Sequence, residues 1–307
     1  MNSANTLIRS IDVRTSGALP DLRVASTIAI GSDYGGQHAT SKYEALAFVL
    51  ADLNRSQAWF EARRELRKNS LSDGRRFSYK SLRDQRRAAV LPQFLRAIDL
   101  IPGLLVVVLI EKHIDSLFKA SGRIDRADPE IQRLSSWAPH VVEKLLRVCH
   151  FVAFFLAGLS REQQDVLWIT DEDDIAANAT MHQTLVEVFA RISSHYLEHT
   201  LRHLRIATTA SDTGKRDVED FVAVADFAAG AVCEALNAYL RSGTPPVPGL
   251  MLPIPASIDD KALSLMHWFS DQRGPLKRLV ISFESEAGTT RLRVRHYHFQ
   301  GSNGHVA

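Results

Sequence analysis

Apolar positions along this chain follow two rhythms, one of short runs and one of helical stripes. Residues 24–32 form a small and β-branched run that ends at Asp33, and residues 43–50 form a second run after a Thr40-Ser41-Lys42 turn. The pair predicts an antiparallel hairpin with its loop at 33–42. Residues 56–69 divide into helical faces around Trp59, Phe60, Arg63 and Leu66, and Ser72-Asp73-Gly74 breaks the pattern. Residues 77–82 are too short to assign, and a helix is expected over 83–100. After Pro102-Gly103, the seven apolar residues from Leu104 to Ile110 read as a central strand buried on both faces, leaving at Glu111-Lys112-His113.

Helical segments are expected over 115–120 and over 128–159, with a break at Pro139. A strand then runs through Val166-Leu167-Trp168-Ile169-Thr170 to Asp171. An amphipathic helix is expected over 176–203, capped by the acidic residues before it. A strand over 204–209 and a helix over 217–240 follow. Five prolines between 244 and 255 mark a stiff connector. Strands over 278–285 and 290–299 end the chain, with Arg291, Arg293 and Arg295 alternating on one face. This order predicts an α/β fold, a mixed sheet flanked by helices. Its parts would be an aperiodic arm (1–22), a main domain (23–242), and the connector with an appended C-terminal β-hairpin (243–307).

The bulk numbers exclude more than they assign. With 307 residues, 45% hydrophobic and 23% charged, the chain is long enough for one large domain. No stretch is expected to reach the ~18 apolar residues of a membrane span, and residues 1–22 lack a secretory apolar core. The two cysteines, Cys149 and Cys233, sit in apolar helical patterns, as reduced core thiols of a cytoplasmic protein would. The net charge of +2 is uninformative, but its distribution is not. Between Arg55 and Arg96, twelve basic residues face four acidic ones. Acids gather instead around 165–174 and 217–226. A basic segment beside an acidic cluster suits a phosphodiester enzyme, one part holding backbone and the other metal.

Asp33 and Asp171 end predicted strands, and Asp226 sits in Val222-Ala223-Val224-Ala225-Asp226-Phe227-Ala228-Ala229-Gly230, a helix face otherwise small and apolar. A carboxylate there needs a partner or a cation. Converging carboxylates repel unless an ion intervenes, and Mg²⁺ or Mn²⁺ takes hard oxygen donors. Two such ions about 3.5–4 Å apart would serve phosphodiester cleavage. Glu111, Asp173 and Asp174 are candidates for a fourth ligand, and Lys80 for balancing charge. His195, His199 and His203 recur every four residues, which stacks them on one helix face, as a polar stripe or a transition-metal site. Nucleophile elbows, phosphate loops and dinucleotide fingerprints are absent from the sequence.

Four segments, Asp33-Tyr34-Gly35-Gly36, Ser78-Tyr79-Lys80-Ser81-Leu82, Thr170-Asp171 and Ala223-Val224-Ala225-Asp226 with its small residues, come in an order that resembles the bacterial domain of unknown function 3800 family. The likeness spans about residues 24–240. It departs where Tyr34 replaces the family's Glu and Ala223 its Gln. The resemblance implies an RNase H-like fold and a metal-dependent nuclease. Asp33, Asp171 and Asp226 would be its metal ligands, with Glu111, Asp173 and Lys80 assisting. Arg63, Arg64, Arg67, Arg75, Arg76, Arg83, Arg86 and Arg87 would then hold DNA or RNA. The departures keep open a catalytically inactive binding or scaffold subunit, and the exposed hairpin could join another chain.

Overall fold

The computed structural model describes residues 2–15, 17–36, 38, 40–117, 134–243, 251–286, 289 and 291–300. Eight strands form one mixed sheet in the order β5-β4-β1-β2-β3-β7-β8-β6. They are β1 (Thr27–Gly35), β2 (Tyr43–Asp52), β3 (Gly103–Glu111), β4 (Asp165–Thr170), β5 (His203–Thr208), β6 (Met251–Pro253), β7 (Leu276–Ser285) and β8 (Leu292–Gln300). The helices are α1 (Asn2–Arg14), α2 (Gln57–Ser70), α3 (Gln85–Ile98), α4 (Pro139–Leu159), α5 (Ala179–Tyr196), α6 (Asp217–Arg241) and α7 (Asp260–Ser270).

The period of two along each strand divides the core between the two faces. Ala45, Ala47, Val49 and Ala51 of β2 pack under α2, α3, α6 and α7. Leu46, Phe48 and Leu50 pack on the other face, toward α1, α4 and α5. The alanine-rich side of β2 lets α6 lie close to the sheet, its own Ala225, Ala228 and Ala229 being at most 1% exposed. β3 is buried along its whole length, as its apolar run predicts. β1 pairs antiparallel with β2 and parallel with β4, so the C-terminal ends of β1 and β4 lie side by side.

Several elements depart from the sequence expectations. The N-terminal segment contains a helix, α1, and its Ala4 and Ile11 are buried in the second core. The C-terminal hairpin extends the main sheet, because β7 pairs parallel with β3 from Gly103↔Leu276 to Ile110↔Phe283. α5 runs only from Ala179 to Tyr196 and is capped by Asn178, whose side chain accepts from Met181 N at 3.0 Å. The histidine stripe therefore dissolves. His199 lies past the helix and bonds Ser160 Oγ at 2.9 Å, while His203 opens β5 and bonds Asp165 at 2.9 Å. Residues 77–82 become a turn whose 3₁₀ part is Lys80–Arg83. Of the helical segments expected over 115–120 and 128–159 and the connector over 244–255, residues 118–120, 128–133 and 244–250 lie outside the described residues. Although no apolar stretch is unbroken, α6 holds an 18-residue window apolar enough to cross a bilayer, and 83% of that window is buried inside the protein.

Candidate active site

The site begins with strand register. Ser32 of β1 pairs with Thr170 of β4, and Asp171 N donates to Ser32 O at 3.2 Å, so Asp171, just past the end of β4, sits beside Asp33, which lies within β1 because that strand runs on to Gly35 rather than ending at Asp33 as expected. Such strands are about 4.8 Å apart. Asp33 follows Ala29 and Gly31 by two-residue steps, which aims it at the α6 face; there the Phe221 ring would lie 3.1 Å from a Cβ on Gly31. Asp226 approaches from α6. The fold thus brings together three acids that are far apart in sequence.

Each acid has a different setting. Asp33 is 9% exposed, and among the described residues its carboxylate has no hydrogen bond or ion pair. Asp171 pairs with the Arg76 guanidinium and accepts from Thr209 Oγ1 at 2.9 Å. Asp226 accepts from Tyr79 N at 2.6 Å. Burial lifts the Asp33 pKa well above the usual carboxylate range, and Asp226 and Asp171 add repulsion that Arg76 partly offsets. Burial pushes Asp226 up to about 6, against the Tyr79 amide and the Arg76 and Lys261 charges. Asp173 also acts on Asp33, but its own ion pair is with Lys144 of α4. That ammonium lies 4.9 Å from the Tyr34 ring, on the opposite face of the sheet.

The segment between α2 and α3 delivers Arg76 and the Tyr79 amide, and its anchoring explains much of the basic run. Asp220, fully buried, takes ion pairs from Arg63 and Arg67. Arg67 also donates to Arg75 O at 2.7 Å, and Arg87 donates to Arg76 O at 3.2 Å. Phe77 wedges between Phe94, at 4.6 Å, and Phe227, at 5.3 Å. Tyr79 lies on Gly230, where a Cβ would come within 2.7 Å of its ring. Its hydroxyl donates to Glu234, and the Lys261 ammonium sits 4.0 Å from its ring centroid.

Several expected site residues are therefore placed elsewhere. Arg63, Arg67 and Arg87 are buried and hold the protein's own chain, so they are not available to a nucleic-acid backbone. Arg64, Arg75, Arg83 and Arg86 are exposed. Arg293 and Arg295 pair with Glu286 and Glu284, and Arg291 is exposed. Lys80 is exposed, and the cations acting on Asp226 are Arg76 and Lys261 instead. Glu111 does not join the acids. It accepts from Ser285 N at 2.8 Å and pairs with Lys42 at 2.9 Å and His113 at 3.0 Å; against burial, these partners hold its pKa below the usual value. Sequence reasoning missed Thr209, Lys144 and Lys261. Only Lys261 had a local signal, the Asp259 cap that opens α7 by accepting from Ala262 N at 2.9 Å.

Three carboxylates, one of them buried and without a partner among the described residues, are the donor type a hard divalent ion takes. They do not form a finished cage. Among the described residues no group of three or more His, Cys, Asp or Glu is placed to hold an ion as it stands, and Arg76 engages Asp171. The donors fit the ion in kind, provided that Arg76 moves aside.

No family model matches the chain, and the search of curated proteins returns no match. Among solved structures, it is similar to ribonuclease H2 from Pyrococcus horikoshii OT3, with a TM-score of 0.34 and 12% identity over 79% of this chain and 87% of that one. Overlap this loose assigns neither a fold family nor an activity.

Proposed function

We propose that this protein is a metal-dependent nuclease of RNase H-like fold, allied to the domain of unknown function 3800 family, that hydrolyses nucleic-acid phosphodiester bonds. The observation that supports the reading is the convergence of Asp33, Asp171 and Asp226 beside the neighbouring strands β1 and β4, with Asp33 buried and, among the described residues, without a hydrogen bond or ion pair. Burying such a group alone is costly, and a cation removes the cost. Asp33, Asp171 and Asp226 would hold Mg²⁺ or Mn²⁺, which when bound supplies an activated water and neutralises the leaving oxygen. Asp33 within β1 and Asp171 just past β4 would fix the site to the sheet, while the Tyr79 amide orients Asp226. The exposed Arg64, Arg75, Arg83 and Arg86 would hold the phosphate backbone.

Incubating labelled single- and double-stranded DNA and RNA with the protein and Mn²⁺, then with EDTA, tests this reading. Cleavage should need the metal and fall to the EDTA background in Asp33→Asn and Asp226→Asn. Equal cleavage by both variants and wild type would refute the assignments.

A second reading is a catalytically inactive subunit that keeps the same fold. The Arg76–Asp171 ion pair favours it, because it neutralises an acid without metal. Nucleic-acid binding insensitive to EDTA, with no rise in melting temperature at millimolar Mn²⁺, would identify that subunit.

A further inference from the structure

The site's acids already have a cation of their own. We propose that Arg76 is a built-in counter-ion that holds Asp171 while the site is metal-free and is displaced when a divalent cation binds. This rests on the metal-site reading above and adds a residue that competes with the ion.

Three observations carry the inference. First, Arg76 is placed to serve the whole cluster: it pairs directly with Asp171, and its charge also reaches Asp33 and Asp226. Second, Asp33 is buried with no hydrogen bond or ion pair among the described residues, so Arg76 satisfies the cluster only in part. Among the described residues, Asp33 is left as the acid with neither a cation nor a hydrogen-bond donor directly on it.

Third, the base of Arg76 is fixed while its tip is free to leave. The carbonyls of Arg75 and Arg76 are held by Arg67 and Arg87, and Phe77 is locked between Phe94 and Phe227. Yet the Arg76 side chain is 43% exposed. A long side chain on a rigid base can swing into solvent by rotamer change alone, with no loop movement. Arginine suits this part because its charge persists at any working pH. The chain can therefore fold before meeting metal with the repulsion among its three carboxylates partly offset.

Arg76→Ala tests the inference in the full-length protein stripped with EDTA. Mn²⁺ affinity is read by calorimetry, and melting temperature is followed with and without Mn²⁺. The variant should melt below wild type in EDTA. It should bind Mn²⁺ roughly tenfold more tightly, the equivalent of about 1.4 kcal/mol. Lys261→Ala removes a positive charge that acts on Asp226 without an ion pair to it, and it should tighten Mn²⁺ binding much less. If Arg76→Ala fails to fold, Arg76→Lys keeps the charge but loses the forked geometry and should still tighten binding, by a smaller factor. Wild type and Arg76→Ala binding Mn²⁺ equally would overturn the inference and leave the metal site standing. Equal tightening in Arg76→Ala and Lys261→Ala would also overturn it, because charge removal alone would then account for the change. If neither wild type nor Arg76→Ala binds Mn²⁺, both this inference and the nuclease reading fail.

Discussion

Replacing Asp226 by Asn should make the metal-free protein more stable at pH 7. In the folded chain this carboxyl titrates at about 6, against an ordinary value of 3.8, with burial as the main cause. A gap of roughly two pH units corresponds to about 3 kcal/mol that the ionised group costs the fold, at 1.36 kcal/mol per unit. That cost is already net of the attraction to Arg76 and Lys261, and Asn keeps an oxygen that can accept from the Tyr79 amide, so a gain of up to about 3 kcal/mol is expected. At roughly 2–4 °C per kcal/mol, the melting temperature in EDTA should rise by several degrees. The pH dependence has a definite sign. Between about pH 4 and 6 the folded chain retains a proton that the unfolded chain has lost, so wild-type stability falls as pH rises through that window. The advantage of Asp226→Asn should accordingly shrink as pH drops from 7 toward 4, and it should narrow or reverse when Mn²⁺ stabilises only the wild type. Thermal melts in EDTA across this pH range provide the measurement. A variant less stable than wild type at pH 7, or a gap that does not change with pH, would show that the acid is not held against its ionisation.

Two further changes probe the supports of the site. Gly230→Ala adds about 1 kcal/mol of helix propensity, but its Cβ would collide with the Tyr79 ring, so urea denaturation should show a net loss of about 1–2 kcal/mol; a gain would mean that Tyr79 does not rest on α6. Asp220→Ala removes the one carboxylate of buried Arg67 and one of the two that hold Arg63, and should cost about 3–5 kcal/mol in the same assay, whereas a loss near zero would remove the network from the account of why Arg63 and Arg67 are where they are.

The legible parts of this molecule were those fixed by local chemistry. β3 could be read from seven apolar residues bounded by turn and charge signals, and the turn before β2 from small polar residues. Asp226 could be named because a carboxylate is out of keeping on an apolar helix face, and Asp33 and Asp171 because each ends an apolar run. The fate of the basic run was not legible. Arg63 and Arg64 are neighbours in sequence, yet helical geometry buries the first against Asp220 and leaves the second in solvent. Their separation depends on an acid more than 150 residues away. Glu111 failed as a candidate for a similar reason: the strand that supplies its Ser285 partner arrives from the far end of the chain. The helix α7 was missed although Ala262, Leu265, Met266 and Phe269 keep a helical spacing after the Asp259 cap.

The parallel pairing of β3 with β7 has a consequence for how the chain is made. β3 leaves the ribosome early, but the strand that completes its second edge is synthesised about 170 residues later. During that interval an entirely apolar ribbon carries unpaired backbone groups along one side, a template for joining another nascent chain. The last fifth of the protein therefore acts as a late-arriving shield. Productive yield in the cell should hinge on how long that ribbon waits, and on what covers it meanwhile, as much as on the final stability of the fold.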